Sequence, residues 1–148
     1  MPDNQIWGRP AKHYVVALTV VSWLLILIYA VIKNPSTTDA SVRMSMMKAD
    51  MATMLGNGGA VVYRNENAKF GGALLSLLIR TDSWSQQLRD RDIKTLVDLG
   101  WQQMPTSPAS FCKKGVLAEI QENVGDYKNT STVLISMRYN ATTSKICK

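Results

Sequence analysis

The nineteen residues from Tyr14 to Ile32 read YVVALTVVSWLLILIYAVI and include no charged residue, no proline and no glycine. At a rise of about 1.5 Å per residue, a helix of this length covers roughly 28 Å, which is close to the thickness of a bilayer core. Tyr14 lies at one end of the run and Tyr29 near the other, as is typical of aromatic residues at headgroup depth. The segment therefore predicts a transmembrane helix.

Two other interpretations of this segment compete with a retained anchor. A helix buried in a globular core is one, but a chain of 148 residues has little protein with which to surround so many apolar positions. A cleaved signal peptide is the other, because Arg9 and Lys12 precede the apolar run. Its hydrophobic region would be longer than usual, and the tripeptide at residues 38–40, Thr-Asp-Ala, is a poor cleavage site. We expect an uncleaved anchor.

The charges around the anchor do not decide its orientation, because basic residues flank both of its ends. These residues are Arg9, Lys12, Lys33, Arg43 and Lys48. The shortness of the N-terminal tail and the position of both cysteines after the anchor favour a cytoplasmic N-terminus. We therefore expect a bacterial inner-membrane protein with a cytoplasmic tail (1–13), a transmembrane helix (14–32), a linker (33–38) and a periplasmic domain (39–148).

The chain contains only two cysteines, Cys112 and Cys147, both after the anchor. A disulfide between them would stabilise a small domain by closing a long loop in the unfolded chain. Two separate buried thiols are the alternative, since cysteine packs as a small hydrophobic residue. A metal site is not expected, because the only histidine, His13, precedes the anchor.

A second helix is predicted after the linker, where Asp39 or Thr38 could cap its first turn. Its methionines recur at spacings of 3, 4 and 3, which places them on one helical stripe. They are Met44, Met47, Met51 and Met54. Ordinary core packing would explain this stripe, but unbranched thioethers also suit a surface that binds a partner subunit. The four methionines are therefore candidate partner-binding residues.

The remaining sequence predicts an α+β domain in which two helices accompany an antiparallel sheet. We expect a glycine-rich turn at 56–59, a third helix from Ser83 to Leu99 capped by Asp82 or Ser83, and a hairpin turn at 123–129. The tract 71–80 suits a buried helix or a strand, and we expect it in the core. Strand patterns cover 60–63, 110–121 and 131–139.

No catalytic arrangement is evident in the sequence. A histidine-based triad cannot form after the anchor, and neither a phosphate-binding loop nor a dinucleotide fingerprint is present. Asp90, Asp92 and Asp98 alternate with basic residues, which is typical of a solvated helix face. Glu119 and Glu122 are expected on the polar surface. We predict a protein that is not an enzyme and needs no cofactor.

The composition gives 17 basic and 11 acidic residues and a formal net charge of +6. The excess is spread along the chain and lacks a dense basic block with interleaved aromatic residues, so nucleic acid is not an expected partner. Attraction to anionic lipid headgroups explains the charge better. Membrane lipid, other envelope proteins and further copies of the chain are the expected partners.

The layout of an apolar N-terminal helix, an adjoining amphipathic helix, an antiparallel sheet and a penultimate Cys147 resembles type IV pilins and their accessory proteins. In that family a leader ends at glycine, and the mature helix opens with a phenylalanine-like residue and a glutamate a few positions later. Here Gly8 is followed by Arg9, and no glutamate occurs before Glu66. The resemblance implies a non-enzymatic, single-pass subunit of a pilus, secretion or conjugation apparatus. The alternative hypothesis is a membrane-anchored immunity or exclusion protein that inhibits an incoming toxin or conjugation component.

Overall fold

The computed structural model describes residues 9–122 and 124–148. The chain divides into two compact units, of which the first ends at Asn34 and the second comprises Pro35–Lys148. Most of the tail predicted for residues 1–13 lies outside the described residues, as does the first position of the turn predicted at 123–129. The described part is an α+β protein with a long apolar N-terminal helix and a small antiparallel sheet domain, as the sequence predicted.

The first unit contains a single described helix, α1 (Arg9–Lys33), which includes the whole predicted apolar segment. Every residue from His13 to Asn34 is exposed. Within the apolar run, the hydroxyl of Thr19 donates to the Val15 carbonyl oxygen at 2.8 Å. By length and composition, this is the only described helical stretch able to cross a membrane, with a mean hydropathy of 2.8 over its best window.

The second unit begins with helix α2 (Thr37–Leu55). Its N-cap is Ser36, whose hydroxyl accepts from the Asp39 amide, while the Asp39 carboxylate accepts from the Ser36 amide in return. The expected cap, Asp39 or Thr38, was therefore misplaced by two or three residues. Asp39 serves at the third helical position, where a carboxylate completes a reciprocal capping pair.

The sheet contains seven strands in the order β1-β2-β7-β5-β4-β3, with β6 paired to β7 off this path, and every pairing is antiparallel. The strands are β1 (Val61–Lys69), β2 (Gly72–Arg80), β3 (Gln102–Met104), β4 (Ser107–Lys113), β5 (Val116–Gln121), β6 (Asp126–Tyr127) and β7 (Thr130–Asn140).

The strand predictions differ from the structure mainly in their lengths. Strand β2 covers all of the tract 71–80 except its first residue, and the pattern at 60–63 marks only the first three residues of β1. The single strand predicted for 110–121 is two strands, because the chain reverses at Lys114 and Gly115, which have φ values of 49° and 82°. Two successive residues in the left-handed region form a tight hairpin turn and cannot continue a strand.

Helix α3 (Gln86–Asp98) follows a 3₁₀ turn, Thr81–Ser83. Its N-cap is Ser85, whose hydroxyl accepts from the Leu88 amide at 3.2 Å. The predicted caps, Asp82 and Ser83, lie in the preceding turn, where Ser83 donates to the Arg80 carbonyl oxygen. The chain ends in helix α4 (Thr143–Ile146).

Helices α2 and α3 lie on the same face of the sheet, and the core fills the space between these helices and the sheet. Alternate residues of β2 and β7 face this core and are buried, whereas the residues between them are only half-buried. This alternation is typical of an antiparallel sheet that is covered on one face. The largest fully buried side chains are Trp101, Phe111, Met47, Met51, Met54, Leu75, Leu77, Ile79, Leu96, Ile135, Met137 and Val116.

Candidate functional site

The methionine stripe of α2 lies inside the domain. Met44 is 8% exposed, Met47 and Met51 are 0% exposed, and Met54 is 1% exposed. All four pack in the same core cluster as the buried residues of the sheet. A partner cannot reach them, so their prediction as partner-binding residues was wrong and the alternative of core packing applies. Helical periodicity identifies an apolar face, but it does not distinguish a sheet of the same chain from a second protein as the occupant.

A polar cluster joins α2, β4 and Trp101, which lies three residues after the end of α3. The Asp50 carboxylate oxygen Oδ2 accepts from Trp101 Nε1 at 2.9 Å and from Lys113 Nζ at 2.7 Å. Asp50 is 7% exposed and Trp101 2% exposed. The Lys113 ammonium group also lies 5.8 Å from the centroid of the Trp101 ring. A buried carboxylate is stable here because two donors replace its hydration.

The sequence contains one signal of this cluster, which the predictions above do not include. Asp50 stands three residues after Met47 and four before Met54, and therefore on the buried face of α2. A carboxylate at a core position needs a positive or donating partner. Which residues supply it could not be known, because Trp101 and Lys113 come from distant parts of the chain.

Replacing Asp50 with alanine should destabilise the domain by about 3 kcal/mol, because the change leaves the Lys113 ammonium and the Trp101 indole without their acceptor. Urea unfolding followed by tryptophan fluorescence would measure the difference. Asp98→Ala is the matched control, since Asp98 is exposed on α3 and should change stability by less than about 0.5 kcal/mol. Equal unfolding midpoints for the two variants would contradict a structural role for the Asp50 carboxylate.

Asp92 corrects the expectation that all three α3 aspartates are solvated. Asp90 and Asp98 are exposed, but Asp92 is 2% exposed. Asn57, in the turn after α2, donates through Nδ2 to Asp92 Oδ1 at 2.8 Å and to Thr95 Oγ1 at 2.9 Å. Burial raises the pKa of Asp92 above its ordinary value, and the Asn57 hydrogen bond opposes that shift only in part.

The pH dependence of stability should reveal this aspartate. Because the folded chain holds the Asp92 proton more tightly than the unfolded chain, stability is greatest below the unfolded pKa and falls as the pH rises through the folded pKa. Asp92→Asn has no carboxyl group that could ionise. We expect it to be more stable than wild type at about pH 7, with the difference vanishing near pH 3.

Chemical unfolding of both proteins across this pH range would test the expectation. Asp98→Asn on the same helix should follow wild type at every pH, because Asp98 is exposed. A difference between Asp92→Asn and wild type that stays constant with pH would show that the carboxyl group titrates normally.

The two glutamates considered as an acid pair bind different partners at the surface. Glu119 accepts from Arg138 at 3.2 Å. Glu122 lies 3.6 Å from Arg89 and accepts from Trp84 Nε1 at 3.1 Å. Within the ranges 9–122 and 124–148, no three His, Cys, Asp or Glu side chains are close enough together to hold a metal ion.

The disulfide predicted between Cys112 and Cys147 is present, with its two Cα atoms 4.9 Å apart. It ties the end of β4 to the residue after α4, and the Gly115 amide donates to the Cys147 carbonyl oxygen at 2.8 Å. A cavity of about 540 Å³ opens beside it, and its lining includes Lys113, Lys114 and Lys148. The cross-link therefore holds the C-terminal segment against the end of the sheet.

The face of the sheet opposite α2 and α3 is a second candidate surface, which we call the open face. Its leucines, serines and Glu119 are half-buried and Arg138 is exposed, and leucine alternates with serine along β2. The Arg138–Glu119 ion pair crosses it. The open face comprises Leu74, Ser76, Leu78, Glu119, Leu134, Ser136 and Arg138.

The edge of the sheet next to the open face is formed by β1. Tyr63 on this strand is 42% exposed, and its ring centroid lies 5.3 Å from that of Tyr127. Lys48 of α2 contacts Glu66 at 2.8 Å, and this hydrogen bond is the main cause that lowers the Glu66 pKa. Charged side chains along an edge strand hinder uncontrolled pairing with other strands.

Neither the family models nor the curated proteins nor the solved structures include a significant match to this chain. The surfaces described above, together with helix α1 and the disulfide, are the features from which a function can be inferred.

Proposed function

We propose that this chain is a single-pass membrane protein whose C-terminal domain lies in an oxidising compartment and acts by binding other proteins. In the more specific form of the proposal, the membrane is a bacterial inner membrane with the N-terminus in the cytoplasm. The partners are then subunits of a pilus, secretion or conjugation apparatus, in keeping with the resemblance to type IV pilin accessory proteins.

Helix α1 supports the membrane part of this proposal. Its leucine, isoleucine and valine side chains between Val15 and Ile32 are more than half exposed on every side of the helix. A helix that is apolar all around requires an apolar surrounding, and a bilayer supplies one along a length of this size. The spanning segment contains no charged side chain that would oppose insertion.

The disulfide supports the assignment of the domain to an oxidising compartment. Structural disulfides persist outside the cytosol, where thiol-reducing systems are absent. A domain of 114 residues after Asn34 is also small enough to gain substantially from a cross-link. An anchored, cross-linked domain of this size is typical of envelope proteins that work through contacts with neighbours.

The open face is the observation that carries the binding role. Helices cover one face of the sheet, while the other presents leucines beside an ion pair and hydroxyl groups. A surface of this mixed composition resembles the contact surfaces of non-obligate complexes, which combine apolar and polar groups. Partner proteins in the envelope would bind the open face of a domain that α1 holds beside the membrane.

Site-specific photocrosslinking in the native host tests the proposal. A photoreactive residue at Leu78 or Leu134 should give discrete crosslinked products, which mass spectrometry would identify as envelope-assembly proteins. The same residue at Arg91 or Lys94, exposed on α3, is the control and should give none. Products from both sites alike, or none from the open face, would refute this role. A crosslinked incoming toxin or conjugation component would instead support the inhibitor hypothesis.

A further inference from the structure

The start of the domain lies beside one turn of the sheet. Pro35 is buried, and its carbonyl oxygen accepts from the Gly71 amide at 3.0 Å. Gly71 belongs to the turn between β1 and β2, and its neighbour Phe70 is 51% exposed. The Phe70 ring is therefore accessible to a surface outside the domain.

The register of the sheet places two more segments at this same end. Gly72, the first residue of β2, is opposite Asn140, the last residue of β7. Val116 is opposite Tyr139, and the β4–β5 turn therefore reverses here as well. Helix α4, which follows β7 directly, exposes 52% of Ile146.

Lysines surround these two exposed apolar side chains. All are exposed, and within the described part of the chain none lies within ion-pairing distance of a carboxylate. We call this surface the basic end. It comprises Lys69, Phe70, Lys114, Lys145, Ile146 and Lys148.

The opposite end of the sheet has a different charge. Arg80 ends β2 there and pairs with Asp82, while Glu122 follows β5 and pairs with Arg89. Asp126 lies in β6 beyond it. Lys128, in the turn between β6 and β7, lies at that end as well, so three carboxylates stand there beside three basic residues. The described lysines of the basic end, in contrast, have no carboxylate within ion-pairing distance. An asymmetric charge distribution of this kind orients a protein in an electric field at a surface.

The first residue of the domain follows closely after the last residue of α1 in the chain. Only Asn34 separates Lys33, the last residue of α1, from Pro35. Two residues of extended chain span at most about 7 Å. If α1 crosses the bilayer as proposed above, the part of the domain that contains Pro35 and the β1–β2 turn starts at the headgroup layer.

From these observations we infer that the basic end is a lipid-binding surface that docks on anionic phospholipid headgroups of the bilayer in which α1 is anchored. The lysines contact phosphate groups, and Phe70 and Ile146 enter the boundary between headgroups and acyl chains. Basic residues beside exposed apolar ones are the combination that binds such an interface. Docking would hold the domain in one orientation. This inference rests on the proposed anchor.

Full-length chain in lipid nanodiscs provides the test. Discs of phosphatidylcholine alone would be compared with discs that also contain phosphatidylglycerol, each doped with a lipid that carries a paramagnetic headgroup. The amide signals of Gly71, Gly115 and Ile146 should be attenuated several-fold more than that of Gly125, which lies in the loop between β5 and β6. The effect should be larger in the anionic discs and weaken with added salt.

A pair of variants separates docking from simple proximity. Lys69→Gln with Lys145→Gln should reduce the attenuation at the basic end, whereas Arg91→Gln with Lys94→Gln on α3 removes the same charge and should not. Equal attenuation of Gly71 and Gly125 in both kinds of disc would overturn lipid docking while leaving the anchor intact. A chain that does not enter discs at all would refute the anchor and this inference together.

Discussion

Arginine at both Leu24 and Ile28 is expected to release most of the chain from the membrane. The two positions are one helical turn apart in the middle of α1, where they are 52% and 53% exposed. On insertion scales, each leucine or isoleucine favours the bilayer centre by about 0.5 kcal/mol and each arginine opposes it by about 3 kcal/mol. The double change therefore disfavours insertion by roughly 7 kcal/mol.

Extraction of membranes with alkaline carbonate would measure this effect. Wild-type chain should stay in the pellet, and the double variant should move largely to the supernatant or be degraded. Val42→Arg with Ser45→Arg adds the same charge to exposed positions of α2 and should leave the chain in the pellet. Release of wild-type chain by carbonate would show that α1 does not span a bilayer.

Loss of the disulfide should have the second large effect. Cys112 and Cys147 are 35 residues apart in the sequence, so their cross-link removes about 4 kcal/mol of loop-closure entropy from the unfolded chain. Alanine at both positions should lower the free energy of unfolding by about this amount. Since a domain of this size has a total stability of about 5–15 kcal/mol, the loss is a large fraction.

Denaturant unfolding in detergent micelles, followed through the buried Trp101, would give the difference between the two proteins. Wild type treated with a reductant is the matched comparison, because it keeps both sulfur atoms and loses only the bond between them. Unchanged midpoints in both cases would contradict stabilisation by the cross-link. Thiol trapping in intact cells addresses the compartment separately, and two free thiols there would refute export of the domain.

The sequence predicted those elements whose own pattern of apolar and polar residues identifies them. The apolar run 14–32 contains no charged residue, proline or glycine that would interrupt a helix, and α1 includes it entirely. Strand β7 was predicted within one residue at each end because its residues alternate strictly between a buried and a less buried face. The disulfide was predicted because the chain has two cysteines and both follow the apolar run.

Predictions were less accurate where neighbours distant in the chain decide the outcome. The apolar residues of the tract 71–80 suit a buried helix and a buried strand equally well. The tract forms a strand because β1 pairs with it on one side and β7 on the other. Asp92 stands among charged residues as a solvated residue would, but α3 turns it toward Asn57 and away from water. Its raised pKa is therefore a product of packing.

The sequence by itself determined the apolar helix α1, the α+β class, the cross-link and the amphipathic character of α2. Each of these depends on local composition or periodicity. The tertiary structure alone decided which protein surface covers the methionine stripe, which donors satisfy Asp50, and which turns meet at the basic end. These outcomes depend on strand order and register. The free energy that fixes them comes from contacts between residues far apart in the chain, and no single segment encodes such contacts.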